Sequence, residues 1–392
     1  MSVSLVDHRA GGVYLDACAT APPAASVLEA MAKAQKEAWA NPSSLHGFGL
    51  AAADRLERSR LAIATQLGCD PSELTFCSGG TEAAQSALLG ATAHLNPGRL
   101  VISAVEHPAV AAAARRLERQ GWELAMVPVD RWGRVDLTAL EALLAPPTRL
   151  VSVIWGQSEV GTLQPIEAIG ERCRAAGVLF HTDAVQVVGH RPIDLSQLPV
   201  DLFSFTAHKF QGPRGIGALV ASPALRFSPL VDGGSQEAGR RGGTEAVALA
   251  AGFAEAIVLA VGRLSAHGGD PIQPLRDRLL AELLEIPGLE LSGCPSERLP
   301  HHISLLVSSP AGKPLPGRRL VEELWREGYA VSSGTACSSG LASASPVLLA
   351  MGVEPARAGS ALRISLGPWL RDDDLSGFAV ALRRAQAAVA AG

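Results

Sequence analysis

Aromatic residues make up only 4% of this 392-residue sequence, although apolar residues reach 47%. A sizeable core is therefore assured, and it must be built mainly from Ala, Leu and Val. Blocks of like charge are missing as well: the formal net charge is −4, and no extended basic or acidic run occurs. Such a chain calls for neither nucleic acid nor an anionic membrane as partner. No uninterrupted apolar stretch reaches the length of a membrane span; Ala246 to Val261 comes nearest, and Glu255 breaks it. Met1 to Arg9 carries Asp7 and His8 where a signal peptide would be apolar, so export is not expected. CxxC pairs are absent too. The cysteines (Cys18, Cys69, Cys77, Cys173, Cys294, Cys337) are scattered, which argues against a disulfide framework or a zinc site. Reduced thiols in a cytoplasmic protein, with no metal, is the expectation.

What is present is an alternation of strand-like and helix-like runs from Glu73 to Val220. Strands are predicted at Leu74–Phe76, Leu100–Ala104, Glu123–Val127, Leu150–Ile154 and Val178–Thr182, with helices between them. That pattern implies an α/β fold with a mostly parallel sheet covered by helices on both faces. Ligands of such sheets bind at the carboxyl ends of the strands. Two helices (about Ala24–Ala38 and Leu50–Leu67) precede the alternation, and a long apolar helix from Thr244 to Val261 follows it. The Gly/Pro-containing stretch His267 to Pro274 reads as the boundary to a second, smaller α+β domain. Residues 14–262 are expected to form the large domain, and 263–392 with 1–13 the small one.

Lys209 is the only lysine between Lys36 and Lys313. It lies between two apolar strand-like runs, Leu202 to Thr206 and Ile216 to Val220, beside His208 and the Thr206 hydroxyl. Desolvation there lowers an ammonium pKa and suits Schiff-base formation, although an exposed lysine at a strand end has the same local sequence. Asp183 follows a strand in His181-Thr182-Asp183-Ala184-Val185-Gln186; it can pair with a protonated heterocyclic nitrogen or cap the next helix. Ser78-Gly79-Gly80-Thr81-Glu82 joins a strand to a helix and can cradle a phosphate or merely turn. His107, before Pro108, can stack on a planar ring and shuttle protons, or cap a helix. Cys337 sits in a small, polar Ser/Gly loop, the setting of a nucleophilic thiol rather than of a buried one.

Seven stretches occur together and in order: 78–82 (SGGTE), 106–110 (EHPAV), 181–186 (HTDAVQ), 208–217 (HKFQGPRGIG), 240–245 (RRGGTE), 333–340 (SGTACSSG) and 362–367 (LRISLG). With them the chain resembles the cysteine desulfurases, class V aminotransferase relatives of fold type I that use pyridoxal 5'-phosphate. The resemblance runs from Tyr14 to about Gly367. It implies that Lys209 is the Schiff-base lysine, Asp183 the partner of the pyridinium nitrogen, and Gln186 a hydrogen-bond partner of the phenolate oxygen. By the same resemblance His107 stacks on the ring and transfers protons, while Gly80, Thr81, Thr206 and His208 hold the phosphate. Thr244 reaches the phosphate of a neighbouring subunit, which implies a homodimer with shared sites. Arg363, assisted by Asn41, takes the carboxylate of L-cysteine. Cys337 attacks the substrate sulfur, leaving alanine and a persulfide for a sulfur-acceptor protein or scaffold.

Two departures stand out. Gln157-Ser158-Glu159-Val160-Gly161 has Ser158 where the family often has a cofactor-contacting Asn, so that contact is weakened, water-mediated or supplied by Gln157. Asp16-Ala17-Cys18-Ala19-Thr20 replaces the common Asp-Asn-Asn-Ala-Thr. A selenocysteine lyase, a cystine or cysteine C–S lyase, a class V transaminase and a non-enzymatic protein that keeps the fold for binding are the alternatives.

Overall fold

A computed structural model describes residues 11–223, 225–334 and 344–391. The chain enters through a two-residue strand, β1 (Val13–Tyr14), and the helices Ala25–Glu37 and Gly47–Leu67. Strands β2 (Leu74–Cys77), β3 (Arg99–Ser103), β4 (Glu123–Val127), β5 (Thr148–Ser152), β6 (Leu179–Asp183), β7 (Leu202–Thr206) and β8 (Gly217–Ala221) follow. Beyond the helix Val247–His267 come β9 (Leu289–Leu291), β10 (His302–Val307), β11 (Tyr329–Ala330) and β12 (Ala361–Ser365).

The seven strands β2 to β8 form one sheet in the order β2-β8-β7-β6-β5-β3-β4. Only β8 runs against its neighbours, so the sheet is mostly parallel. Alternation along the strands sorts the side chains between two faces. Leu100, Ile102, Leu150, Leu202 and Leu219 pack under the helices Gly80–Thr92 and Pro108–Glu118. Val101, Val151, Phe203, Phe205 and Val220 face the opposite layer, where Leu56, Ile63, Ile169, Phe253 and Ile257 cover them. Helices on both faces leave the carboxyl edge as the open side.

The three-stranded antiparallel sheet β12-β10-β9 has its own core, which includes Ile303, Leu305, Leu362, Ile364, Phe378 and Leu382. The N-terminal segment joins this unit: β1 pairs with β11, Asp16 bridges to Ser365, and Leu15 is buried in the same core. That crossing brings Asp16 and Cys18 from the start of the chain beside Arg363 near its end.

Several boundaries differ from the sequence expectation for visible reasons. The second helix starts at Gly47, because His46 Nδ1 accepts the Gly49 N–H at 3.2 Å and caps it. Strand β5 stops at Ser152, and the Ile154 N–H goes instead to Glu106 Oε1 at 2.7 Å. The long apolar helix runs to His267, where Gly268 adopts φ 67° and ends it. At 21 residues it is long and apolar enough to cross a membrane, but it packs on the sheet, with Phe253 and Ile257 wholly buried.

Candidate active site

Turns at one edge of the large sheet converge on a cavity of about 450 Å³. Gly80 and Thr81 reach it after β2, Glu106 and His107 after β3, and Gln157 to Glu159 beyond β5. Asp183, Val185 and Gln186 line it at and beyond the end of β6, and Thr206, His208 and Lys209 at and beyond the end of β7. The other unit closes it with Asp16, Cys18, Ser332, Gly334 and Arg363.

Lys209 lies in the single turn of 3-10 helix that follows β7. Its Nζ donates to the carbonyls of Cys18 at 2.6 Å and Ala19 at 2.9 Å. Burial lowers its pKa to about 8, against the opposing pull of Cys18, because two carbonyls replace only part of the hydration an ammonium has in water. Asp183 is 4% exposed and accepts the Val185 N–H at 2.9 Å. Burial pushes its carboxyl up, while His107, that N–H and Lys209 pull it down. The His107 Nδ1 accepts the Ala109 N–H at 3.1 Å and caps the helix Pro108–Glu118. A neutral His107 ring therefore carries its hydrogen on Nε2; burial favours that neutral form and Asp183 opposes it. Burial likewise takes His208 down to about 4, with its Nδ1 3.1 Å from Thr20 Oγ1.

These residues suit a phosphorylated, cationic heterocycle. The helix Gly80–Thr92 opens into the cavity with no side-chain cap on its N-terminus, as an anion site requires. A Cβ at Gly80 would come within 2.8 Å of Val185 Cγ2, so only glycine lets that N-terminus close on the Asp183 turn. Asp183 supplies a buried carboxylate for a ring nitrogen, and Lys209 an amine for a carbonyl carbon. Pyridoxal phosphate has all three features.

Arg363 projects from β12 and is 8% exposed. Its Nη2 donates to Asp16 Oδ1 at 2.8 Å and its Nη1 to the Ser158 carbonyl at 3.1 Å, while its buried Nε has no partner. Gln186 Nε2 donates to the Cys18 carbonyl at 3.0 Å. Gln157 is not available to replace the missing Asn at Ser158. Its amide donates to the Val105 carbonyl at 3.2 Å, and its oxygen accepts the N–H groups of Glu159 and Val160. Ser158 lines the cavity, but the interactions seen use its carbonyl.

Asn41, expected to assist Arg363, is exposed in the single chain, accepts the Ser43 N–H at 2.9 Å and lies outside this cavity. The turn that starts at Asn41 leads into the helix Gly47–Leu67 on another face. There Asn41 and Thr244 line a second cavity, of about 590 Å³. Cys337 lies outside the described residues. The described residue Ser345 donates to Glu159 Oε2 at 2.5 Å, which ties the segment that starts at residue 344 to the cavity wall.

Sequence reasoning assigned no role to Glu106 or Glu159, both of which line the cavity, and read Asp16 and Cys18 only as a departure from a motif. The available signal was position: Glu106 precedes His107 directly after a strand. Behind Cys18, whose Sγ lies 3.3 Å from His301 Nε2, the rings of His301 and His190 stack at 3.7 Å. His190 Nδ1 is 2.7 Å from Asp270 Oδ2. Stacked rings aim their in-plane lone pairs side by side rather than at one point, so this cluster reads as packing and not as a metal centre.

Comparison with known proteins gives a consistent result. The family described as aminotransferase class-V matches residues 13–378. A protein named cysteine desulfurase from Cereibacter sphaeroides is 43% identical over 91% of this chain and 91% of its own length. One named cysteine desulfurase IscS from Methanosarcina thermophila is 37% identical, covering 93% of this chain and 89% of its own. Among solved structures, a NifS-like protein superposes with a TM-score of 0.87 at 32% identity, covering 97% of this chain and 100% of that one. A NifS-like protein from Rickettsia africae reaches 0.85 at 30%, over 95% of this chain and 99% of its own.

Proposed function

This chain belongs to the class-V aminotransferase family and is a pyridoxal-phosphate-dependent cysteine desulfurase, and we propose how its residues divide that work. It converts L-cysteine to L-alanine, holds the sulfur on Cys337 and passes it to an acceptor protein for iron–sulfur clusters or other sulfur-containing cofactors. The observation that carries the reading is the convergence of Lys209, Asp183 and Arg363, from distant parts of the chain, on one 450 Å³ cavity.

When bound, the cofactor supplies an electron sink for the pair left by removal of the substrate's α-proton. Asp183 would face its ring nitrogen, His107 its ring, and Gly80, Thr81, Thr206 and His208 its phosphate. Gln186 would bond its phenolate oxygen with what the Cys18 carbonyl leaves free. Lys209, with a pKa near 8, holds enough neutral amine at physiological pH to take the α-proton. Arg363 offers the substrate carboxylate its unpartnered Nε, and Nη2 in exchange with Asp16. The Cys337 thiolate attacks the substrate sulfur. An S–S bond forms, the C–S bond breaks, and its electron pair stays on carbon until a proton completes alanine.

The same reading makes the protein a homodimer. Trp39, Leu45, Phe48 and Leu50 are 56% to 91% exposed, and this apolar surface lies beside the second cavity that holds Thr244. A second copy covering it would bring Thr244 toward a neighbouring phosphate site. A reducing, cytoplasmic setting is part of the proposal, and the free thiols of Cys18, Cys69, Cys77, Cys173 and Cys294 are in keeping with it.

Cys337→Ala tests the core of this reading. Alanine and persulfide formation from L-cysteine should be lost while the yellow colour of the bound cofactor persists; full turnover in that variant would refute the assignment.

A further inference from the structure

Among the described residues, Glu106 is the acidic group of the cavity wall whose unpartnered carboxyl oxygen is also buried from solvent. Its Oε1 accepts from Ser103 Oγ at 2.5 Å and from the Ile154 N–H at 2.7 Å. Its Oε2 is buried and has no hydrogen-bond partner, and the residue lines the cavity that Asp183 also lines. Burying an ionised carboxylate costs far more than burying a neutral acid unless donors or a cation meet both oxygens, and nothing meets Oε2. The two donors on Oε1 fit a neutral acid's carbonyl oxygen, and the bare, buried Oε2 is the place for the proton. Asp183 adds like-charge pressure toward the same state.

We propose that Glu106 is a positioning residue of the desulfurase site, held as a neutral acid whose Oε2–H keeps Asp183 the only anion beside the cofactor's ring nitrogen. This rests on the assignment of Asp183 to that nitrogen. Burial and the Asp183 charge outweigh the Ser103 and Ile154 donors and raise the Glu106 pKa to about 8. The charged or titratable groups around it are Asp183 from the end of β6, His107 from the adjoining helix start and, across the cavity, Lys209 beyond β7. None of them places a fixed cation on Oε2. The consequence is a division between two acids: Asp183 stays charged once paired with the ring, and Glu106 takes up the proton that two neighbouring carboxylates cannot both do without.

Glu106→Gln separates this role from that of a carboxylate base. Glutamine keeps the acceptor for Ser103 and Ile154 and puts a neutral N–H donor where Oε2–H stands. The decisive measurement is infrared difference spectroscopy of the apo-protein and the holoenzyme on stepping from about pH 6.5 to about pH 9.5. Wild-type protein should lose a protonated-carboxyl C=O band with a midpoint near pH 8, and Glu106→Gln should lack that band. Bound cofactor should report the same group: a step in its visible spectrum near pH 8 in the wild type, absent from Glu106→Gln. The proposal is overturned if no such band titrates, or if Glu106→Gln keeps it. It is equally overturned if Glu106→Gln does not fold or bind cofactor while Glu106→Asp does, because a neutral isostere must then be unable to substitute. A protein that never colours with pyridoxal phosphate would instead refute the cofactor reading, and the apo infrared result would still decide the state of Glu106.

Discussion

Glu237→Ala should be among the most costly single substitutions outside the cavity. Glu237 receives Arg60 Nη1 and Nη2 and the Phe76 N–H, each at 2.8 Å. The two side chains are 2% and 9% exposed, so the pair is buried. Glu237 and Ala238 both hold left-handed backbone, at φ 50° and 54°, which nothing but fixed surroundings would maintain in non-glycine residues. Removing the carboxylate leaves Arg60 charged, with the Leu74 carbonyl, the exposed Glu57 and the face of the Phe76 ring as partners. It also strands the Phe76 N–H. Breaking one side of a buried pair costs about 3–5 kcal/mol, far above the roughly 0–1 kcal/mol of a surface bridge. Urea unfolding of the apo-protein measures this directly. The pair is expensive to break but replaceable, so Arg60→Met with Glu237→Met should be less destabilised than either single change. A loss under about 1 kcal/mol in Glu237→Ala, or a double variant as weak as the two singles summed, would refute the reasoning. Function should follow, since the same segment carries Arg241, paired with Glu82 at 2.9 Å, and Thr244.

Three more outcomes can be checked. Colour should develop on adding pyridoxal phosphate to the apo-protein at a rate that rises with pH and levels off near pH 8, because the neutral Lys209 amine is the nucleophile; a rise continuing toward the ordinary lysine value of 10.5 would contradict the lowered pKa. His181 is fully buried between Ser152 and Ser204, and burial takes it to about 3. The unfolded chain binds that proton near pH 6.5 and the folded one does not, so stability should fall as pH drops from about 6.5 to 3. The ceiling is roughly 5 kcal/mol, and His181→Asn should flatten the profile measured by urea unfolding at each pH. Trp39→Asp should shift the protein from dimer to monomer in light scattering and weaken cofactor retention; an unchanged dimer would place the interface elsewhere.

The α/β class and the order of the elements were legible because their signals are local. Short, near-continuous apolar runs separated by helix-like runs mark a covered parallel sheet, and the predicted Glu123–Val127 strand matches to the residue. Lys209, Asp183 and His107 were legible for the same reason, since each directly follows a predicted strand. Boundaries slipped where a distant partner intervened: the sequence cannot reveal that the Ile154 N–H is taken by Glu106 rather than by a neighbouring strand.

By itself, then, the sequence determined the family, the chemistry of the cavity and which strand ends contribute to it, because residue type and short-range spacing carry that information. Tertiary structure decided what depends on contacts between remote segments. It gave Arg363 its partner Asp16, 347 positions away, and used up the Gln157 amide in fixing its own turn. It moved Asn41 to a cavity shared with Thr244. It also left one oxygen of Glu106 buried and bare beside Asp183, and a protonation state follows from such surroundings, never from the residue's name.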